Sequence, residues 1–322
     1  MSHDVFHFVF ITDTQIGMNS PAGLHGAGSD KERLDSAIAW INNGLQTEHL
    51  NEHEIDFVVF GGDQINNPGD EKTAAQLDAF KASLSSLTVP YFGVVGNHDQ
   101  EHPDKDWQYK ERRLPVRFSM TLKNTFLVGI NASWIRGDFG DRYRQEEWEH
   151  LEAELARVPT SIGHRFVVMH WPLFIFHPRE DETYWNMPNR GELVDLFKKH
   201  GVSCVLTGHW HADIDACWHG IPLSRASGLP SLFNTRKSCH SRSSRFSKPA
   251  GPCAEYQPRS IGYHGSGDLS RTSATPGPDH RLSGLRLRPT RTPQAMIDSE
   301  AGVGMTWTWV VNVYGRPTTP LL

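Results

Sequence analysis

At 322 residues, with 38% hydrophobic side chains and a formal net charge of −5, the chain has an ordinary globular composition and room for a large core. The charge is uneven, since residues 1–230 hold 20 Lys/Arg against 32 Asp/Glu (net −12) and residues 231–300 hold 11 against 5 (net +6). An acidic main stretch excludes an electrostatic footprint for nucleic acid, and no run has the length of a membrane span or the pattern of a signal peptide, so neither partner is expected.

Residues 5–11 form an apolar run, as expected of a strand covered on both faces, and it ends at Asp13-Thr14-Gln15. A glycine-rich loop follows. Ser29 and Glu32 then make a capping-box pattern ahead of Leu34, Ala37, Ile38, Ile41 and Leu45, which share one helical face. A second strand, Phe57 to Phe60, ends at Gly61-Gly62-Asp63, and a second helical face follows in Leu77, Phe80, Leu84 and Leu87. The third strand, 91–95, runs into Gly96-Asn97-His98-Asp99. Phe118, Met120 and Leu122 alternate with polar residues, turn at Lys123-Asn124 and return over 126–130, which predicts an antiparallel hairpin. Trp148, Leu151, Leu155 and Val158 mark another helix. A strand over 165–169 ends at His170, a helix over 190–200 stops at Gly201, and a strand over 203–206 ends at Gly208-His209-Trp210-His211. Alternating strands and helices with an inserted hairpin predict an α/β domain with mixed sheets over 1–230.

Beyond Gly228 the pattern breaks. Ser, Arg, Pro and Gly fill 34 of the 70 positions in 231–300, too little apolar surface to offset ordering entropy, so 231–322 is expected to be an irregular tail. Out-of-frame translation of GC-rich DNA yields the same composition. Met305, Trp307, Trp309, Val311 and Val313 alternate with more polar neighbours, so 305–314 is read either as a final edge strand or as an unpaired apolar stretch. Cys204, Cys217, Cys239 and Cys253 lack C-x-x-C spacing and are read as reduced thiols of a cytoplasmic protein.

Chemistry is suggested by recurrence. Singly, Asp13 and Asp63 are ordinary turn residues, and a lone His170 is an ordinary satisfied histidine. Five strand-like runs, however, each end in such a group. Asp13, Gln15, Asp63, Asn97, His170, His209 and His211 together mix carboxylate, amide and imidazole, a set suited to Mn, Fe or Zn. Seven donors exceed one tetrahedral centre and fit two divalent metals sharing a carboxylate, roughly 3.5–4 Å apart and able to clamp a phosphate. His98 and Asp99 add a candidate proton-transfer pair. The aromatic stretch Trp171 to Pro188, with Phe174, Phe176, Tyr184 and Trp185, is read either as a loop over this site or as packing against the domain.

The order D-x-Q, G-G-D, G-N-H-D, H, G-H-x-H resembles the calcineurin-like metallophosphoesterase superfamily over about residues 5–228. Gln15 departs from the usual His, and a branch of the superfamily carries Gln there together with a stretch like His170-Trp171-Pro172-Leu173-Phe174. The resemblance implies a four-layer α/β/β/α sandwich of two mixed sheets. It implies that Asp63 bridges two metals, that Asp13, Gln15 and His211 complete one site, and that Asn97, His170 and His209 complete the other. It also implies that His98 protonates the leaving oxygen while Asp99 holds its ring. The expected function is hydrolysis of a phosphomonoester on a phosphoprotein or small metabolite. A phosphodiesterase and an inactive binding protein, disabled at Gln15 or by the tail, are the alternatives.

Overall fold

Each apolar run sends alternate side chains to two destinations, because strand residues point to opposite faces in turn. The computed structural model describes residues 6–18, 29–43, 55–66, 72–100, 107–174, 187–211, 214–226, 228 and 309–310. In one sheet β1 (Phe8–Ile11), β2 (Phe57–Phe60) and β3 (Tyr91–Gly93) run parallel, joined by the crossover helices α1 (Asp30–Asn42) and α2 (Thr73–Leu84). Val9, Ile11, Val58 and Phe60 face these helices and meet Leu34, Ile38, Leu77 and Phe80. Their neighbours Phe8, Phe10, Phe57 and Val59 point the other way, into a second sheet.

That sheet contains β4 (Phe118–Leu122), β5 (Thr125–Ile130), β6 (His164–Met169), β7 (Cys204–Thr207), β8 (Ile214–Trp218) and β9 (Ile221–Arg225), ordered β4-β5-β6-β7-β9-β8. β4–β5 and β8–β9 are antiparallel hairpins and the remaining pairs are parallel, so the mixed character predicted from the sequence resides here. Leu127, Phe166, Val168 and Leu206 face the first sheet. Val128, Val167 and Val205 face outward onto Leu151 and Leu155 of α5 (Asp141–Ala156) and Leu193 and Phe197 of α6 (Arg190–Lys199). Three apolar layers separate four structural ones, giving the α/β/β/α sandwich.

The expected local signals hold for the described residues. Ser29 Oγ accepts from Glu32 N, and Glu32 Oε2 accepts from Ser29 N at 2.6 Å, closing the capping box of α1. Gly201 takes φ 64° after α6, where a Cβ would be strained. Two five-residue helices, α3 (Trp107–Glu111) and α4 (Ala132–Arg136), were not expected, being too short to show a period. The β8–β9 hairpin was also missed, because Asp215, Pro222 and Ser224 interrupt its apolar pattern. Trp309–Val310 pairs parallel to Val9-Phe10 as β10, so for these two residues the edge-strand reading of 305–314 holds. Leu45, Phe176, Tyr184, Trp185, Cys239, Cys253, Met305, Trp307, Val311, Val313 and the rest of the expected tail lie outside the described residues. One compact unit, Met1–Pro258 with Gly304–Leu322, holds every described residue. No helix among the described residues is long and apolar enough to cross a membrane.

Between the sheets the phenylalanines stack. The Phe8 and Phe57 rings lie 5.1 Å apart and 3° from parallel, and Phe6 caps Phe57 at 5.7 Å. All three are buried. Phe8→Ala is therefore expected to cost about 3–5 kcal/mol, from lost transfer and a cavity that flanking strands cannot collapse into. Urea denaturation measures this, and a loss below about 1 kcal/mol would show that the inter-sheet layer repacks freely.

Candidate metal centre

The predicted donors all leave the carboxyl ends of strands: Asp13 and Gln15 after β1, Asp63 after β2, Asn97 after β3, His170 after β6, and His209 and His211 after β7. That is where α/β sheets gather ligands. The two first-sheet loops are joined through their backbones, with Asp13 N donating to Gly62 O, Gln15 N to Asp63 O and Ile16 N to Gln64 O at 2.9, 2.9 and 3.0 Å. The second sheet reaches across. His209 N donates to Asp13 Oδ2 at 3.0 Å, and His170 Nδ1 lies 2.9 Å from Gly61 O.

Five candidate donors sit in the left-handed backbone region, with φ of 52° at Asp13, 40° at Gln15, 53° at Asp63, 72° at His209 and 44° at His211. Among the described residues only Arg113, Lys123 and His219 share it without being glycine. Each such residue costs of order 1–3 kcal/mol and persists where surrounding structure over-determines it, as at functional sites. The turns aim the side chains inward. His170 Nε2 lies 3.1 Å from Asp63 Oδ2 and 3.9 Å from Asp13 Oδ1, and His211 Nε2 lies 3.2 Å from Asp13 Oδ1. His209 Nδ1 is 3.3 Å from His170 Nε2. Donor atoms of Asp63, His170 and His209 all fall within 4.8 Å of one another. Gln15 and Asn97 join through their loops, Gln15 beside Asp63 O and Asn97 next to His98, whose N–H donates to Asp63 Oδ1 at 2.8 Å.

The donor set fits a divalent cation. Among the described residues Gln15 Oε1, Asn97 Oδ1 and His211 Nδ1 are buried and find no hydrogen-bond partner, a costly state for polar atoms unless they serve a ligand. The Gly61 carbonyl fixes Nδ1 of His170 as the protonated nitrogen, turning Nε2 toward Asp63 as a ligating histidine requires. Charge points the same way. Burial would raise both aspartates, but His211 and His170 hold Asp13 below the usual carboxylate value, and His170 and His98 do so for Asp63. Burial would lower His170, yet Asp63 and Asp13 lift it to about 9, so the two carboxylates favour positive charge at its position. His209, desolvated and beside charged His170, is held well below the ordinary imidazole value.

The structure corrects one expectation. Asp99 does not hold the His98 ring. Its carboxylate turns back into the loop, accepting from Gly96 N at 2.7 Å, Ile65 N at 3.0 Å and Tyr109 Oη at 2.7 Å, and burial with the nearby Asp63 charge lifts it to about 7. Capping a backbone N–H three residues away is the short route for this side chain, and it leaves the His98 ring to the Asn66 carbonyl, 2.7 Å from Nδ1. Asn66 and Tyr109 were not expected at the site. The first acts through its backbone, and the second follows a charged loop without periodicity. Trp171 is buried, with its ring centroid 3.9 Å from that of His209 and its indole N–H donating to Ser133 Oγ at 2.9 Å. For Trp171 the packing reading holds, and it braces His209.

A family model described as calcineurin-like phosphoesterase matches residues 6–213. The chain is similar to the serine/threonine-protein phosphatase CPPED1 of Danio rerio, 25% identical over 235 residues that cover 70% of this chain and 76% of the relative. The human protein of that name is 22% identical over 236 residues, covering 70% and 75%. The 3′,5′-cyclic adenosine monophosphate phosphodiesterase CpdA of Escherichia coli (strain K12) is 23% identical over 181 residues, covering 55% and 62%. Among solved structures, purple acid phosphatase PPD1 from yellow lupin seeds aligns with a TM-score of 0.50 at 15% identity, covering 72% of this chain and 46% of that one, a likeness of fold. Fold, site and relatives define a metal-dependent hydrolase of phosphate esters. The chain belongs to the calcineurin-like phosphoesterase family.

Gly96 tests how tightly the cradle is built. A Cβ there would run into the Asp63 carboxylate and its backbone nitrogen. Gly96→Ala is expected to weaken zinc or manganese binding roughly 10–100-fold, as disturbed ligand supports do. Calorimetric titration reads the change, and unchanged affinity would show that Asp63 is free to move.

Proposed function

We propose that the chain is a dinuclear phosphomonoesterase acting on a phosphoprotein or a small phosphometabolite. Asp63 would be the shared ligand, Asp13, Gln15 and His211 would hold one metal and Asn97, His170 and His209 the other, with Mn, Fe or Zn suited to the donors. The observation that carries this reading is the convergence of Asp13, Asp63, His170, His209 and His211 through contacts of 3.0–3.9 Å at the seam between the sheets. The phosphatase names of relatives covering 70% of the chain favour a monoester over the diester suggested by the shorter match. Cys204, a free thiol buried between the sheets, suits the reducing cytoplasm expected from the sequence.

When bound, the metals supply Lewis-acid stabilisation of charge on the phosphoryl oxygens. The chain supplies placement and a proton. His98 follows Asn97 directly, so its ring can face substrate while the amide oxygen of Asn97 faces the metals. A carbonyl only accepts, so contact with Asn66 O keeps one proton of the imidazolium on Nδ1, and the second, on Nε2, is the one delivered to the departing ester oxygen. Asp99 serves as a brace, tying Gly96 and Ile65, and hence the two loops that carry Asn97 and Asp63.

A general acid matters in proportion to how poorly its leaving group departs. His98→Asn is expected to slow alkyl phosphates by roughly 10²–10⁴-fold, leave metal content intact and slow nitrophenyl phosphate far less. Paired kinetics with metal stoichiometry measure this. Equal losses on both substrates, or loss of metal, would make His98 a ligand or a structural residue. Turnover of bis-nitrophenyl phosphate above that of the monoester would favour the diesterase reading.

A further inference from the structure

We infer that Gln76 of α2 is a positioning residue for proton transfer, acting through Asn66 on the carbonyl that holds the His98 ring. This rests on the reading of His98 as the proton donor. The N–H of Asn66 is shared between Ile16 O and Gln76 Oε1, each at 3.1 Å, while its C=O meets His98 Nδ1 at 2.7 Å. The Gln76 amide also lies directly over Gly17, where a Cβ would come within 2.6 Å of its Cδ. One side chain from the helix layer thus bridges the loop after β1, at Gly17, and the loop after β2, at Asn66.

The placement is hard to explain as packing alone. Gln76 is 7% exposed and lies in the buried row of α2 with Thr73, Leu77 and Phe80. An amide costs free energy there unless its polar atoms are bonded, and an apolar side chain of the same length would fill the space better. Met can fill it but accepts no hydrogen bond from Asn66. Glu keeps the acceptor. Asn keeps the amide on a stem one methylene shorter. Small displacements of a positioned proton donor cost rate without changing what binds.

The test compares Gln76→Met, Gln76→Glu, Gln76→Asn, His98→Asn and the Gln76→Met/His98→Asn double variant. Each is measured on an alkyl phosphate and on nitrophenyl phosphate, with zinc counted per chain. Nitrogen-15 histidine spectra, taken at a pH where the ring is neutral, report the His98 tautomer independently of turnover. Gln76→Met and Gln76→Asn are expected to lower kcat on the alkyl phosphate roughly 10–100-fold, with zinc content unchanged and the His98 Nδ1–H signal weakened or lost. Nitrophenyl phosphate should lose less than about threefold, because its leaving group departs unaided. Gln76→Glu should recover most of the alkyl rate, and Gln76→Met should add nothing on top of His98→Asn. Equal losses on both substrates, additive losses in the double variant, or an unchanged tautomer would overturn the inference. If His98→Asn discriminates between the substrates and no Gln76 variant does, only this inference fails. If His98→Asn does not discriminate either, the proton-donor reading fails and takes the inference with it.

Discussion

Asp13 and Asp63 place two carboxylates, 0% and 1% exposed, at the seam where the two sheets meet. Stripping water from a carboxylate costs several kcal/mol even after the protein relaxes, so the surroundings must return that stabilisation. Backbone donors supply part of it, from His209 N to Asp13 and from His98 N to Asp63. The imidazoles of His170 and His211 supply another part, and the two carboxylates raise the His170 imidazole in turn, so positive charge is favoured at this seam. A divalent cation would meet that need, and Gln15, Asn97 and His211 add buried donor atoms that find no partner among the described residues.

This demand for charge accounts for local features that would otherwise be faults. Left-handed backbone at Asp13, Gln15, Asp63, His209 and His211 is unfavourable in isolation, yet these turns bring donors inward from three strand ends, those of β1, β2 and β7. Close approach at Gly96 lets the loop after β3 sit against the Asp63 carboxylate. The phenylalanine layer of Phe6, Phe8, Phe10 and Phe57 holds both sheets in register beneath the loops. Rigid strands below and strained turns above are the arrangement a preorganised site requires.

The architecture was legible because apolar runs such as 57–60 and 165–169 are short, bounded and followed each time by a polar group. The residues that converge, Asp13, Asp63, His170, His209 and His211, were legible for the same reason, since their side chains are named by the sequence. Orientation was not. The family resemblance implied that Asp99 holds His98, whereas competition from the Gly96 and Ile65 amides turned it away, and a backbone carbonyl took its place. Carbonyls carry no sequence signal. Gln76 left one trace, a polar residue in the row of Leu77, Phe80 and Leu84, and only the fold shows what it reaches. The β8–β9 hairpin was hidden by its own polar residues on a half-exposed edge.

The central claim is that the buried carboxylates exist to hold catalytic metal. It is tested most directly by counting metal and turnover together, in wild-type protein and in Asp63→Asn, before and after chelation. About two divalent ions per chain are expected, with activity lost on chelation, restored on readdition, and reduced by several orders of magnitude in folded Asp63→Asn. Full turnover by chelated protein, or near-normal turnover by Asp63→Asn, would contradict the account.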